Sequence, residues 1–155
     1  MREYMIHEKC RVSEEEILTY HTRVLVLGID DEGEILILSK PTRYNDEWLL
    51  EMPSGDVLYR EKPEDAAVRV LLTETGMLAD NIEPLGRYTP RGSVIDVVYL
   101  FSAVELTPIK SPIDFSYETQ LIRFSPGTLG ELIKEGLFRQ EAGIKAFTRF
   151  YISVR

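Results

Sequence analysis

Residues 22–29 (TRVLVLGI) and 34–39 (EILILS) are two dense, β-branched apolar runs separated by Asp30-Asp31-Glu32-Gly33. Runs of this length without a polar break describe strands covered on both faces. A turn closing in glycine joins them into an expected hairpin. Strands buried on two faces need a layer on each side, and the rest of the chain has the patterns to supply them. Residues 47–52 (EWLLEM), halted by Pro53-Ser54-Gly55, and residues 82–88, 94–104 and 120–124 read as further strands. Lys62-Pro63-Glu64-Asp65 opens a helix, with proline at its first position and two acids at the positive end of the dipole. Gly76 stops that helix after Thr75, and Val68, Leu71, Leu72 and Thr75 share the face expected to be core. Ser125-Pro126 caps a second helix carrying Leu129, Leu132 and Ile133 that ends near Gly136, and residues 141–152 carry a third through Ile144, Phe147 and Tyr151. Hairpins among helices disfavour a fully parallel doubly wound sheet. The expected class is α/β, an α/β/α sandwich with a mixed sheet.

The chain has 155 residues, and no repeat or linker-like stretch divides it, so a single domain over residues 1–155 is expected, with residues 1–20 as an N-terminal extension. Its net charge of −8 argues against a protein that coats nucleic acid, which needs clustered cations. An anionic ligand would then need local help from Arg, Lys or a metal. Cys10 is the only cysteine and His7 and His21 are the only histidines, which excludes an intramolecular disulfide and a thiolate zinc site. The charged start MREYMIHEKC lacks the apolar centre of a secretory signal, and no apolar run approaches the roughly 18 residues of a membrane span. The expected setting is cytoplasmic, with no membrane partner. Neither a P-loop, a G-x-S-x-G elbow nor a Cys/His pairing suggests other chemistry.

The segment of residues 55–77, GDVLYREKPEDAAVRVLLTETGM, is a loop with glycine at its head, then the proline-started helix, then glycine again. Gly55, Glu61, Arg69, Glu74 and Gly76 fall at the spacing G-x5-E-x7-R-E-U-x-E-E-x-G-U, where U is a bulky apolar residue. In this the chain resembles the Nudix hydrolase family, and more narrowly its ADP-ribose pyrophosphatase branch. The likeness runs from about Glu15 to Tyr151. It includes Tyr20-His21, Arg43-Tyr44, WLLEMPSG at residues 48–55, and residues 85–106.

The resemblance implies a Nudix-type sandwich and hydrolysis of a diphosphate linkage. ADP-ribose is its leading substrate, cut to AMP and ribose phosphate with Mg²⁺ or Mn²⁺. It assigns Glu74 to the metal and to catalysis, with the backbone carbonyl of Ser54 as a further metal ligand. Arg69 is the arginine that orients the acids of the helix, paired with Glu61, while Gly55, Glu61 and Gly76 are the structural frame of the box. Glu118, or Gln120 if the alignment slides, takes the place of a catalytic base in an acidic loop. Arg43, Tyr44 and Arg91 face substrate. The branch also implies a homodimer paired through N-terminal strands.

Two places depart from the motif. Val70 and Thr73 stand where it carries glutamate. Positions 70, 73 and 74 meet on one helix face, and hard divalent cations want oxygen ligands there. Valine offers none. Losing several kcal/mol of transition-state stabilisation corresponds to roughly a 10³-fold loss of rate. The box therefore implies either weak metal-dependent hydrolysis or, as the alternative, an inactive module of the same fold that binds a nucleotide or a protein partner. The plain reading of Glu74 and Glu118 is solvated acids, of Arg91 a surface charge, and of Tyr44, Trp48 and Tyr59 packing groups. Asp56 is a possible substitute ligand, and Asp96 has no assigned role.

Overall fold

A computed structural model describes residues 3–7, 10–13, 21–42, 47–93, 95–109 and 119–152. The strands are β1 (Glu3–His7), β2 (Cys10–Ser13), β3 (Thr22–Gly28), β4 (Ile35–Pro41), β5 (Trp48–Glu51), β6 (Ser54–Asp56), β7 (Met77–Tyr88), β8 (Val97–Pro108) and β9 (Gln120–Phe124). The helices are α1 (Pro63–Thr75), α2 (Pro126–Lys134) and α3 (Glu141–Tyr151). β1 and β2 pair antiparallel by themselves. A four-stranded sheet runs β6-β3-β8-β7 and a three-stranded sheet β5-β4-β9. The first is mixed, because β3 is parallel to β8 and antiparallel to β6.

Period-two alternation splits the interior into two cores. Val24 and Val26 of β3 turn toward α1, joining Ala66, Ala67, Val70, Leu71 and Phe101. Leu25 and Leu27 turn the other way, against Leu129, Phe138, Ala146 and Phe147 of α2, α3 and their connection. β4 divides likewise, with Leu36 on the α1 side and Ile35 and Ile37 opposite. The result is helices on both faces of the sheets, as the two apolar runs require.

The expected hairpin of residues 22–29 and 34–39 is corrected. The turn itself forms: Asp30 Oδ1 accepts from the Glu32 and Glu34 amides, each at 2.9 Å, and Gly33 adopts a left-handed φ of 80°. Past an isolated Ile29–Ile35 bridge, however, the two strands belong to different sheets. Both are so apolar that each becomes an interior strand with neighbours on both edges.

The buried face of α1 is also rotated from expectation. Leu71 and Thr75 are buried as expected, but Val68 is 41% exposed and Leu72 only partly covered, while Ala66, Ala67 and Val70 are buried. Two alanines let the helix lie close on β3, and Val70 then meets β6. β7 begins directly after the helix rather than at residue 82. Gly76 at φ 76° reverses the chain, and the Thr75 hydroxyl accepts from the Met77 amide at 3.2 Å. β8 begins at Val97, with the Asp96 amide just before it donating to Ser93 Oγ at 2.9 Å, and Val94, where the strand was expected to start, lies outside the described residues. The halt expected at Pro53-Ser54-Gly55 is brief, since Ser54–Asp56 is itself a strand.

Candidate functional site

One guanidinium ties the loop after β6 to α1. Arg69 donates to both carboxylate oxygens of Glu61, each at 3.0 Å, and its Nη2 also reaches the Asp56 carbonyl at 2.7 Å. Glu61 Oε1 accepts from the Leu58 amide at 3.0 Å as well. Such a fork-on-carboxylate pair is directional and charge-assisted. The hydrogen bonds from Arg69 hold the Glu61 carboxyl below its usual value, against the opposing effect of burial, and Glu61 raises Arg69 in return. Arg69 and Glu61 therefore set the course of the backbone from Gly55 into the helix. Gly76 closes the far end, its amide donating to the Leu72 carbonyl at 2.8 Å.

Gly55 is needed for a close approach. It stands opposite Val24 in the β3–β6 ladder, and a Cβ placed on it would lie 2.9 Å from Val70 Cγ2. Val70 itself is 3% exposed and belongs to the α1-side core. The first acidic place of the box is thus a packing position. Thr73 faces solvent. Ser54 lies next to Gly55, opposite Leu25.

Glu74 is half-buried on the last turn of α1. Burial pushes its carboxyl above the usual value; Lys40 on β4 pulls it down and Glu51 on β5 pushes it up again. Lys40 Nζ lies 3.5 Å from Glu51 Oε1. The β4–β5 register pairs Leu38 with Glu51 and Lys40 with Leu49, so Lys40 and Glu51 are diagonal neighbours on the face that turns to α1. This cluster of Lys40, Glu51 and Glu74 was not singled out from the sequence. Its signal was the shared two-residue alternation of 36–40 and 49–51, which becomes informative only once the register is known. Beside Glu51 an open pocket of about 190 Å³ is lined by Leu49, Leu50, Leu137, Arg139 and Gln140. Gln140 also holds the strand end, accepting from the Met52 amide at 2.8 Å and donating to its carbonyl at 3.2 Å.

The remaining candidates are scattered. Arg91 sits exposed in the turn joining β7 to β8, closed by the Ser93 amide on the Pro90 carbonyl at 3.1 Å. Asp56 is engaged by Arg23 at 2.6 Å, and Asp96 by His21 Nδ1 at 2.7 Å. Tyr59 is exposed with Arg60 over its ring at 5.2 Å, and Trp48 is half-exposed on β5. Gln120 opens β9 opposite Ser39. Arg43, Tyr44 and Glu118 lie outside the described residues.

The donor set fits a divalent ion poorly. Mg²⁺ and Ca²⁺ gather about six to eight oxygens, yet among the described residues no three His, Cys, Asp or Glu side chains converge. On the box face, valine and an exposed threonine flank a single carboxylate, and the neighbouring Glu51 already has an ammonium partner.

A sheet pair flanked by helices, with a glycine-headed, arginine-locked loop leading into one of them, defines a family as well as a fold. The NUDIX domain model matches residues 19–136, and the chain belongs to the Nudix family. Over 125 residues it is 28% identical to the ADP-ribose pyrophosphatase of Bacillus subtilis (strain 168), covering 80% of this chain and 67% of that one. Among solved structures it is similar to an ADP compounds hydrolase, with a TM-score of 0.72 at 18% identity over 83% of this chain and 70% of the other. A NUDIX hydrolase from Nitrosomonas europaea aligns with a TM-score of 0.65 at 17% identity, covering 84% and 87% respectively. At such identities these two likenesses speak for the fold alone.

Proposed function

We propose that this chain binds a nucleoside-diphosphate compound, with ADP-ribose foremost, and hydrolyses its diphosphate linkage weakly if at all. The observation that carries the reading is Val70, buried against Gly55 where a metal-holding acid would otherwise stand. Membership of the Nudix family and the likeness to an ADP-ribose pyrophosphatase support the ligand class. In a chain of net charge −8, the phosphates need local cations, and the resemblance offers Arg43 and Arg91 for them, with Tyr44 for the base. Mg²⁺ or Mn²⁺ would assist only residual turnover through Glu74 and the Ser54 carbonyl, with Glu118 as base. A homodimer formed through residues 1–20 and a cytoplasmic setting belong to the same reading.

Calorimetric titration with ADP-ribose, first in EDTA and then in Mg²⁺, tests it alongside chromatographic assay of AMP. The expected result is saturable binding in EDTA and turnover roughly 10³-fold below that of an enzyme with a complete box. Brisk metal-dependent release of AMP that Glu74→Gln abolishes would restore the ordinary hydrolase reading. Absence of any nucleotide binding would remove the ligand class.

A further inference from the structure

The first residues of β3 serve two neighbours at once. In the order β6-β3-β8-β7, β3 lies between the strand that leads into the box loop and the strand that follows the Arg91 turn. On the β6 edge, Arg23 stands opposite Asp56 and its Nη1 reaches Asp56 Oδ1 at 2.6 Å, while the Asp56 carbonyl accepts from Arg69 at 2.7 Å. On the β8 edge, Thr22 stands opposite Val97, and the Val97 amide donates to the His21 carbonyl at 3.1 Å. Just outside that ladder, His21 Nδ1 meets Asp96 Oδ1 at 2.7 Å. Asp96 is also the foot of the Arg91 turn. Its amide donates to Ser93 Oγ at 2.9 Å, and the Ser93 amide donates to the Pro90 carbonyl at 3.1 Å. Arg91 is exposed within this turn, and Gly92 takes the left-handed φ of 85° that lets the chain reverse. Polar contacts thus run from the box loop, through the backbone of residues 21–23, to the segment that carries Arg91.

We propose that His21 and Asp96 are positioning residues for Arg91: they fix its turn on the start of β3, so that the guanidinium is presented to the phosphates of a nucleoside-diphosphate ligand. The inference rests on the ligand class proposed above, and it gives His21 and Asp96 themselves no contact with the ligand. With 36% of the His21 side chain and 41% of that of Asp96 accessible, their contact adds little to the stability of the fold. What it supplies is direction, because a short hydrogen bond to a carboxylate holds its two partners in one geometry. An arginine on a turn held in place loses less freedom on gripping a phosphate than one on a loose turn. The arrangement needs no divalent ion, so it acts equally in EDTA.

The test is a double-mutant cycle on the full chain, with ADP-ribose titrated in EDTA against the wild type, Arg91→Gln, Asp96→Ala and Arg91→Gln/Asp96→Ala. Arg91→Gln is expected to weaken binding roughly tenfold, the loss of one hydrogen bond to a charged group. Asp96→Ala should weaken it roughly three- to tenfold while melting within about 4 °C of the wild type. The double variant should bind no more weakly than Arg91→Gln alone, because Asp96 acts through Arg91. Hydrogen exchange supplies a readout without ligand: the Ser93 amide should exchange faster in Asp96→Ala, while that of Leu100 stays as in the wild type. Losses that multiply in the double variant, or an Arg91→Gln protein that binds like the wild type, would overturn the proposal. So would an unchanged Ser93 amide, or equal acceleration at Leu100. Wild-type binding that Asp96→Ala leaves intact sinks this inference alone, whereas a wild type that binds no ADP-ribose sinks the functional reading and this inference with it.

Discussion

Val70 packs on Gly55 so closely that a methyl group added to the glycine would fall 2.9 Å from the valine Cγ2. The contact joins β6 to α1 and converts a place for a charged ligand into part of the core. Gly55→Ala is expected to cost about 1–3 kcal/mol by overpacking. Val70→Ala should cost about 2 kcal/mol by leaving a void. Combined, they should cost clearly less than the sum, because the truncated valine makes room for the added methyl. Urea unfolding of the three variants measures this, and simple additivity would mean that the two residues do not press on one another.

Rebuilding the box should expose the same fact from the other side. Val70→Glu places a carboxylate without a partner in the α1-side core and is expected to lose roughly 3 kcal/mol at neutral pH. Thr73→Glu, at an exposed position, should stay within about 0.5 kcal/mol of the parent. Denaturant midpoints for the two single variants separate these cases, and a Val70→Glu protein as stable as the parent would contradict the buried placement.

Much of this arrangement was legible in the sequence, and the parts that were not share a cause. Pro63 and Gly76 marked the ends of α1, Ser125 marked the start of α2, and QLIRF gave β9, because caps and short apolar runs are local signals. The separation of β3 from β4 depended on which distant strand each would find, and nothing within residues 22–39 encodes β8 or β9 as a partner. The buried face of α1 was displaced because apolar periodicity gives weight to Val68 and Leu72, whereas close approach to the sheet favours the small Ala66 and Ala67. Likewise Lys40, Glu51 and Glu74 come from three elements. Only strand register and helix docking make them neighbours, so a motif confined to residues 55–77 could reveal only the last of them.

The Glu61–Arg69 pair should make stability fall in acid. Hydrogen bonds from Arg69 lower the folded-state value of Glu61 below the ordinary value of 4.5. A group depressed in this direction contributes stability above its unfolded value and loses it as pH falls through the folded value. Glu61→Gln should therefore be less stable than the wild type by about 1–3 kcal/mol at pH 7. The difference should narrow below pH 4.5. Urea midpoints across that range check it, and a gap that persists unchanged in acid would assign the loss to packing rather than charge.

Glu74 should behave with the opposite sign. Burial raises its folded-state value above 4.5, with the repulsion of Glu51 adding and the attraction of Lys40 opposing. For a carboxyl raised on folding, ionisation favours the unfolded chain, so stability is greatest in acid and declines as pH rises through the folded value. Glu74→Gln removes that decline. The variant should be the more stable protein at pH 7.5, with the advantage fading below pH 4.5. Paired melts at the two ends of this range decide it, and a variant that is weaker at neutral pH would mean that the ionised form of Glu74 makes a favourable contact.

The side-chain amide of Gln140 replaces a strand neighbour for Met52, taking its N–H at 2.8 Å and giving to its carbonyl at 3.2 Å. Met52 is 1% exposed, so neither backbone group has water as a substitute. Gln140→Ala leaves both unsatisfied and is expected to cost about 2–4 kcal/mol, the sum of two modest desolvation penalties. Gln140→Glu retains the acceptor but loses the donor to the carbonyl, and should fall between the two. Because the Met52 amide lies between Glu51 at the end of β5 and Ser54 at the start of β6, its hydrogen exchange should accelerate in Gln140→Ala, while the amide of Leu100 in the centre of β8 changes only as far as global stability does. Equal acceleration at both amides would mean that Gln140 supports the fold as a whole rather than the strand end beside Glu51.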